Sequence, residues 1–298
     1  MNDLLQQLIA GMRQGGPDFS GDPLKARADF EDLLASMPVS EDLTFSEIEL
    51  GGVRTLHSPT SPANKGALLY FHGGAFAAGS ARGYRGLAAD LGRAAGVQTF
   101  SVDYRLAPEE PFPAAVEDAT AAYRALLDQG VDHRRIVFGG DSAGGGLAVS
   151  ALVKLRDDQV PLPAAAVLLS PWVDLACASV TMTSKADADP SLTAAGLQAM
   201  ARVYLAGTDA THPLASPVHA DLSGLPPLMI QVGSAEILLG DAVKLAERAG
   251  TAGTSVRLDI WPEMIHVWQA FAFLLEEGRV AIEEAGQFLR RSVKARGK

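Results

Sequence analysis

Short apolar runs alternate with helical periodicity along most of the chain, beginning near residue 67. Each run is too short for a helix, and most of its residues are apolar whichever face they occupy. This pattern is typical of parallel strands that are covered by helices on both sides. We predict such strands at residues 67–71, 97–102, 135–138, 164–169, 228–232 and 256–260. The alternation therefore predicts an α/β fold in which helices flank a mostly parallel central sheet.

Two of the helices have clear sequence signals. Pro113 can begin a helix that carries a single apolar stripe and ends at Gly130. Residues 282–293 place their apolar side chains on one face of a last amphipathic helix. Helices of this kind can cover the apolar faces of the predicted sheet.

The N-terminal part of the chain has a different pattern. Residues 1–40 carry apolar side chains at three- and four-residue spacing, and the Gly-Gly-Pro sequence at 15–17 divides them into two helices. Residues 45–50 and 53–57 then predict two neighbouring strands joined by a Gly-Gly turn. The helices of residues 1–40 thus precede the sheet rather than alternate with its strands.

The alternation is also interrupted between residues 169 and 228. Ser191 can cap a helix in this gap, and a Pro-rich segment follows that helix. An insertion of this size at one point of the sheet is a candidate lid, and it could pack with the N-terminal helices. A helical excursion without a role at the site is the alternative.

Composition and charge exclude several classes of protein. The chain has 298 residues, of which 48% are hydrophobic and 20% charged, so it is globular and large enough to bury a core. Its 35 acidic and 25 basic residues give a formal net charge of -10, without a cluster of basic residues. Nucleic acids and anionic membranes attract basic clusters. We therefore expect neither a nucleic-acid nor a membrane partner.

Cys177 is the single cysteine, which excludes an internal disulfide and a Cys-based zinc site. No apolar run reaches the ~18 residues that a transmembrane helix needs, and the N-terminus does not fit a signal peptide. We expect a cytoplasmic protein. The sequence has no metal-binding constellation, phosphate-binding loop or dinucleotide fingerprint, so we expect no cofactor and no metal.

The strongest chemical signal is a G-x-S-x-G motif centred on Ser142. It follows the predicted strand at 135–138 and precedes a helical pattern, the context in which this motif presents a nucleophilic serine. Gly140 and Gly144 permit the sharp turn that exposes the hydroxyl, and the next amides lie at a helix N-terminus, where they favour an anion. We interpret Ser142 as a nucleophile. A plain turn rich in glycine and serine is the alternative.

A second signal follows the predicted strand at 67–71, where the sequence reads His72, Gly73, Gly74, Ala75. Glycines directly after a buried strand let backbone N–H groups point into a cleft, as a developing oxyanion requires. His72 precedes the nucleophile in the chain and sits beside these donors. We therefore expect His72 to hold the loop by hydrogen bonds rather than to act as a base. A plain Gly-Gly turn is the alternative.

A serine nucleophile needs a histidine base and a carboxylate that orients the base. In sheets of this type the chain order is serine, acid, histidine. His266 comes just after the strand predicted at 256–260, whereas His212 and His219 fall in the Pro-rich segment. Glu236 is the first acid after the strand at 228–232. Asp241, about one turn further on, is its rival and fits better within a helix.

Taken together, these residues resemble the hormone-sensitive-lipase-like α/β-hydrolases, especially bacterial esterases. The resemblance covers nearly the whole chain from about residue 66 to 294. It rests on the sequences at residues 72–74, 103–109, 112–114, 140–145, 170–172, 225–227 and 264–266. It implies an α/β-hydrolase fold with a helical cap. We accordingly assign residues 1–44 and 180–220 to the cap, and residues 45–179 and 221–298 to the catalytic domain.

By this resemblance, Ser142 is the nucleophile, His266 the base and Glu236 the acid. The candidates for the oxyanion hole are the amides of Gly73, Gly74, Ala75 and Ala143. Two positions depart from the family, which more often has Asp-Pro-Leu at residues 236–238 and a third glycine at position 75. The family uses the segment with Asp103 and Arg105 structurally, and Asp141 is taken as supportive.

The predicted function is therefore that of a serine esterase that hydrolyses short-acyl carboxylic esters through an acyl-enzyme. An amide hydrolase, either a formamidase or a peptidase, with the same triad is one alternative. A non-catalytic ligand-binding protein is another, although such proteins usually lack the base and His266 is present. The expected partner is a small-molecule ester. A homodimer through the edge strand at 256–260 is a further prediction.

Overall fold

A computed structural model describes residues 3–59 and 66–295 of the chain. Within these residues an eight-stranded sheet has the order β1-β2-β4-β3-β5-β6-β7-β8. Strands β3 to β8 are parallel, and β2 is antiparallel to both β1 and β4. The strands are β1 (Ser46–Leu50), β2 (Val53–Ser58), β3 (Ala67–Phe71), β4 (Gln98–Val102), β5 (Ile136–Asp141), β6 (Ala166–Leu169), β7 (Leu228–Gly233) and β8 (Val256–Trp261).

Helices precede the sheet, connect its strands and follow the last strand. They are α1 (Asp3–Gln14), α2 (Pro23–Ala35), α3 (Arg85–Ala95), α4 (Ala114–Asp128), α5 (Ala143–Asp157), α6 (Thr181–Ser184), α7 (Ala194–Leu205), α8 (Leu239–Thr251) and α9 (Glu276–Ala295). Short 3₁₀ turns occur at His133–Arg135, Pro217–His219 and Trp268–Phe271.

Each face of the sheet is buried under its own set of helices. Helices α4, α5 and α8 share one apolar core with the sheet, represented by Val116, Leu147 and Leu245. Helices α3 and α9 form a second core on the opposite face, where Leu91 and Leu289 are completely buried. Parallel strands need this double covering, because both of their faces are apolar. The predicted α/β class is confirmed.

The predicted strands all occur, with small changes at their ends. The largest change is at β5, predicted to end at residue 138 but continuing to Asp141. Glycine and aspartate are poor strand formers, which is why the sequence pattern ends early. Pairing overrides this preference, because Gly140 lies opposite Phe71 of β3 and Asp141 lies opposite Leu169 of β6. The strand therefore delivers the chain directly to Ser142.

The helix predicted within the long gap also occurs, as α7, but Ser191 does not cap it. Thr193 is the N-cap, and its side chain accepts a hydrogen bond from the amide of Gly196 at 3.0 Å. Ser191 instead donates to the carboxylate of Asp189 through its amide and hydroxyl. The two residues are close in sequence and both are good caps, so the pattern alone does not separate them.

Strand β8 lies at one end of the sheet, as predicted, and Ile260 is exposed. Pairing of this edge with a second copy of the chain stays a prediction, as does the division into a cap and a catalytic domain. Among residues 3–59 and 66–295, no helix is both long and apolar enough to cross a membrane.

Candidate active site

Ser142 occupies a strained turn between β5 and α5. Its φ of 53° and ψ of -122° lie outside the regions that a residue with a side chain ordinarily adopts. Glycine is required on both sides of the turn: a Cβ at Gly140 would collide with the carbonyl of Gly144, and one at Gly144 would collide with the carbonyl of Phe71. Such local strain is often found at functional sites. Here it places Ser142 at the carboxyl edge of the sheet.

His266 and Glu236 meet at the same edge. The Nδ1 of His266 lies 2.7 Å from the Oε2 of Glu236. The other carboxylate oxygen, Oε1, accepts hydrogen bonds from the hydroxyl of Ser170 and the amide of Gly233, both at 2.7 Å. Glu236 is fully buried, whereas the His266 side chain keeps an exposed fraction of 11%. The carboxylate is thus held on one side and directed at the imidazole on the other.

Burial and charge act in opposite directions on His266. Burial lowers the pKa of the imidazole because it disfavours the charged form. The negative charge of Glu236 and its hydrogen bond raise the pKa, with smaller contributions from Asp189 and Asp141. The net effect is a pKa above the usual value of histidine. This environment stabilises an imidazolium, as a catalytic base requires after it has taken a proton.

The structure distinguishes Glu236 from Asp241, the alternative candidate for the acid. Asp241 lies in the first turn of α8, and its Oδ2 accepts hydrogen bonds from the amides of Val173 and Asp174 at 3.1 and 3.0 Å. Burial raises the pKa of Asp241 to about 7. Asp241 therefore braces the chain after β6, and Glu236 is the acid that contacts His266.

The two other candidate histidines have partners away from this pair. The Nδ1 of His212 accepts a hydrogen bond from the amide of Leu214 at 3.2 Å, and its ring packs edge-on against Phe112. The Nε2 of His219 lies 3.3 Å from the Oδ1 of Asp174. Both histidines hold the segment between β6 and β7 together.

The loop after β3, which carries the candidate oxyanion donors, contains residues with positive φ. Gly74 has a φ of 114°, and Ala75 follows with a φ of 54°, so alanine adopts a left-handed conformation here. Gly74 and Ala75 line the same cavity as Ser142. Ala143 is the first residue of α5, so its amide lies at a helix N-terminus. These three residues keep their place as candidates.

Gly73 has to be removed from the set of oxyanion candidates. Its amide donates a hydrogen bond to the Oδ1 of Asp141 at 3.0 Å. A donor committed to a buried carboxylate is not available to a substrate. A Cβ at Gly73 would also collide with Asp141, so this position requires glycine for space. Sequence reasoning found the loop but could not show which of its amides was already bonded.

Asp141 and His72 support the loop after β3 through contacts with Gly73. Asp141 accepts a second hydrogen bond, from the hydroxyl of Tyr70 at 2.7 Å, and burial raises the pKa of its carboxyl group to about 6. The Nδ1 of His72 lies 2.7 Å from the carbonyl of Gly73, and its ring stacks on Tyr104 with centroids 4.2 Å apart. Burial lowers the pKa of His72, which favours the neutral ring. The prediction that His72 holds the loop is confirmed.

Asp103 and Arg105 also have structural partners. Arg105 donates to the carboxylate of Asp118 at 2.9 Å, and Asp103 accepts from the amide of Ala81 at 3.2 Å. These bonds tie the chain after β4 to α4 and to the turn before α3. Neither residue is among those that line the cavity at Ser142.

Ser142 and His266 both line a cavity of about 590 Å³. The other lining residues lie in five parts of the chain: residues 7–39, 74–75, 83–90, 190–197 and 267–273. Most of the lining side chains are apolar, among them Leu8, Met12, Phe19, Phe30, Leu34, Leu197 and Phe271. The cavity therefore suits an uncharged, largely apolar ligand. In the described part of the chain, no cluster of three or more His, Cys, Asp or Glu side chains could hold a metal ion.

The sequence analysis assigned no role to Ser170, Tyr70 or Asp189. The hydroxyl of Ser170 donates to Glu236 and accepts from the amide of Val267 at 3.2 Å, so it joins the acid and base loops. Ser170 directly follows β6 at the same sheet edge, and this position was the available signal. Nothing in the local sequence identifies Tyr70 or Asp189, because their partners are far away in the chain.

The chain is similar to several known proteins. A family model described as an alpha/beta hydrolase fold matches residues 68–270. An acetyl-hydrolase from Streptomyces hygroscopicus is 56% identical over 223 residues, which are 75% of each chain. An esterase from Acinetobacter venetianus is 33% identical over 269 residues, which are 89% of this chain and 88% of the relative.

The chain is also similar to a protein of solved structure. The crystal structure of an esterase from the bacterial hormone-sensitive lipase family superimposes with a TM-score of 0.94 at 44% identity, covering 98% of this chain and 99% of that one. The chain therefore belongs to the α/β-hydrolase fold family and, within it, to the bacterial hormone-sensitive-lipase esterases. The resemblance seen in the sequence is confirmed.

Proposed function

We propose that the protein hydrolyses carboxylic esters with short acyl groups, with Ser142 as nucleophile, His266 as general base and Glu236 as the acid that orients the base. The observation that carries this proposal is the 2.7 Å contact between Glu236 and His266, beside a cavity that His266 shares with Ser142. Glu236 fixes the Nδ1 proton of the imidazole, which leaves Nε2 to accept a proton from the serine.

The reaction proceeds in two halves. In the first half, His266 takes the Ser142 proton while Oγ forms a bond to the ester carbonyl carbon. The amides of Gly74, Ala75 and Ala143 stabilise the negative charge that develops on the carbonyl oxygen. The tetrahedral intermediate then breaks its bond to the alcohol oxygen, and His266 donates the proton to the leaving alkoxide. In the second half, water attacks the acyl-enzyme by the same steps and releases the carboxylic acid.

The preference for short acyl groups is supported by one of the relatives. The Streptomyces hygroscopicus protein that shares 56% identity is named an acetyl-hydrolase. We propose that this chain likewise accepts an acetyl group in preference to long acyl groups. The cavity is apolar but has a limited volume of about 590 Å³, which is in the usual range for a site that holds one small molecule.

We also propose that residues 1–44 and 180–220 act as a cap over this cavity. Both segments contribute wall residues, among them Phe30 and Leu197. Arg13 of α1 donates a hydrogen bond to the carbonyl of Asp187 at 2.8 Å, which joins the two segments on the surface. A cap assembled from these segments would shape the part of the cavity that binds the substrate.

Hydrolysis of p-nitrophenyl acetate, butyrate and octanoate tests the proposal. We expect the value of kcat/KM to fall from the short to the long ester, and Ser142→Ala to abolish turnover. The exposed Ser184 provides a control, since Ser184→Ala should keep the wild-type rate. A serine-reactive phosphonate should label Ser142 once per chain. Equal rates for the wild type and Ser142→Ala would overturn the proposed nucleophile.

The same protein allows esters and amides to be compared directly. Phenyl acetate and acetanilide present one acyl group on two leaving groups, and we expect hydrolysis of the ester to be much faster. Faster hydrolysis of acetanilide would instead assign the site to an amide hydrolase.

A further inference from the structure

The peptide groups that follow the acid Glu236 are bonded by two side chains from the segment between β6 and β7. The Oδ2 of Asp189 accepts a hydrogen bond from the amide of Ile237 at 2.9 Å. The hydroxyl of Thr181 donates to the carbonyl of Ile237 at 2.6 Å. Ile237 directly follows Glu236 and is fully buried. Both backbone polar groups of the residue after the acid are therefore fixed from outside its own loop.

Asp189 is itself held in place. Its Oδ1 accepts hydrogen bonds from the amides of Ser191 and Leu192, both at 2.9 Å, and from the Ser191 hydroxyl at 3.1 Å. These partners leave Oδ2 directed at Ile237. Asp189 is buried, and bonds between a buried carboxylate and backbone amides are stronger than those between neutral groups.

Thr181 is similarly restrained. Its hydroxyl has one proton, which Ile237 accepts, and the same oxygen accepts from the amide of Gly240 at 3.0 Å. The hydroxyl of Ser179 lies 2.8 Å from it. Thr181 thereby connects the acid loop to the start of α8. A valine at this position would keep the shape of the side chain and lose every one of these hydrogen bonds.

This arrangement matters because the acid is a glutamate. Glutamate has one more rotatable bond than aspartate, so holding its carboxylate at one place requires more restraint. Ser170 and Gly233 restrain Oε1, but they do not fix the backbone from which the side chain extends. Ile237 has an N–H that donates a hydrogen bond to Asp189, whereas a proline at this position would have none.

We propose that Thr181 and Asp189 are positioning residues that clamp the peptide groups of Ile237 and so hold Glu236 in bonding contact with His266. The proposal rests on the proposed function, in which Glu236 is the acid of the triad. Asp189 also directly precedes residues 190–193, which line the cavity. The segment that lines this part of the cavity is thus the one that holds the acid.

Kinetics of Thr181→Val and Asp189→Asn test the clamp. Each should lower kcat for p-nitrophenyl acetate about tenfold, with KM changed by less than about twofold, because a displaced acid impairs the chemical step. Thr181→Ser keeps the hydroxyl and should recover most of the rate. Thr183 and Asp187 are exposed and lie near the clamp residues, so Thr183→Val and Asp187→Asn are matched controls that should keep wild-type kcat.

The pH dependence of kcat/KM is a second measurement, and a general loss of stability would not change it. The carboxylates that act on His266 are Glu236, Asp189 and Asp141. Asp189→Asn removes one of these charges, so the acid limb of the kcat/KM profile should move to lower pH. Thr181→Val removes no charge, but it displaces Glu236, whose contact raises the His266 pKa, so this limb should also move to lower pH. Thermal melting of each variant shows whether it is folded.

The outcomes are distinct. If Thr181→Val and Asp189→Asn melt at lower temperature but keep wild-type kcat per phosphonate-titrated site, the clamp is only structural and the proposal is wrong. Thr181→Ser gives the answer if Thr181→Val does not fold, since its rate should exceed that of a Thr181→Ala variant. Failure of the wild type to hydrolyse esters or to react with the phosphonate would overturn the proposed function instead.

Discussion

The amide of Gly73 lies 3.0 Å from the Oδ1 of Asp141, so the loop that binds the oxyanion in our proposal is bonded to the residue just before the nucleophile. The hydroxyl of Tyr70 reaches the same oxygen at 2.7 Å. One buried carboxylate therefore fixes the relative positions of the nucleophile turn and the oxyanion loop.

Replacing Asp141 should separate these two elements. Asp141→Ala leaves the Gly73 amide and the Tyr70 hydroxyl without an acceptor, at a cost of about 1–3 kcal/mol each. We expect kcat to fall by roughly tenfold to a hundredfold, with a smaller change in KM. Asp141→Asn keeps an acceptor oxygen and should retain more of the rate. Steady-state kinetics of both variants measure the difference, and equal losses would show that the acceptor is not the important feature.

The pH dependence of the reaction should report His266. In our proposal the imidazole must be neutral to take the Ser142 proton, so kcat/KM should rise with pH through the pKa of His266. Burial lowers this pKa, but the charge and hydrogen bond of Glu236, with the charges of Asp189 and Asp141, together raise it by more. The midpoint should therefore lie above the usual histidine value of about 6.5.

Glu236→Gln provides the matching variant. It removes the negative charge that stabilises the imidazolium, so the His266 pKa should fall. The rate should fall as well, by about 10³-fold or more, because the amide does not select the required tautomer. NMR titration of the His266 ring measures the pKa without relying on activity. An unchanged pKa in the variant would contradict the assigned pairing.

Asp241 should control stability rather than catalysis. Burial raises the pKa of its carboxyl group from 3.8 to about 7, so ionisation disfavours the folded state. The stability that the neutral carboxyl contributes is complete below the unfolded pKa and is lost as the pH rises from about 4 to 7. Asp241→Asn removes this loss, because the amide oxygen can still accept from Val173 and Asp174.

We therefore expect Asp241→Asn to raise the free energy of unfolding by about 2 kcal/mol at pH 8 and to change it little at pH 4. Its esterase rate should stay near that of the wild type. Urea unfolding at the two pH values measures the first effect. A rate loss as large as that of Glu236→Gln would reassign the acid.

Ala75 adopts a φ of 54°, in the left-handed region that strains residues with a side chain. Ala75→Gly relieves about 1 kcal/mol of strain but adds a similar entropic cost of folding, so stability should change by less than about 1 kcal/mol. The amide is kept, and kcat should stay within about twofold of the wild type.

Ala75→Val tests whether a larger side chain at this positive φ increases the strain. A β-branched side chain is disfavoured at positive φ, so this variant should be destabilised by about 1–3 kcal/mol and should lose activity. Urea unfolding and steady-state kinetics measure both variants. Wild-type activity in Ala75→Val would show that the loop tolerates a different backbone conformation.

Local sequence pattern accounts for most of the fold and for part of the site. The strand positions follow from apolar runs, and Ser142, Glu236 and His266 each come after a strand that the pattern predicts. The extension of β5 to Asp141 was missed because it depends on pairing with β3 and β6 rather than on the residues themselves.

The supporting contacts could not be predicted for a related reason. Tyr70 reaches Asp141, and Asp189 reaches Ile237, across 71 and 48 positions of the chain. A hydrogen bond of this kind depends on the final packing of elements, which hydrophobic periodicity does not specify. For the same reason, the sequence could not show that the Gly73 amide donates a hydrogen bond to Asp141.

Much of the cavity wall comes from a stretch of the polypeptide that carries none of the reacting groups. Residues 7–39 supply much of the apolar lining and none of the proposed triad. Substitutions at Leu8, Met12 or Phe30 could therefore alter which esters fit while the proton-transfer machinery stays intact. This separation makes the first forty positions the natural place for evolution, or for a protein engineer, to diversify substrate range.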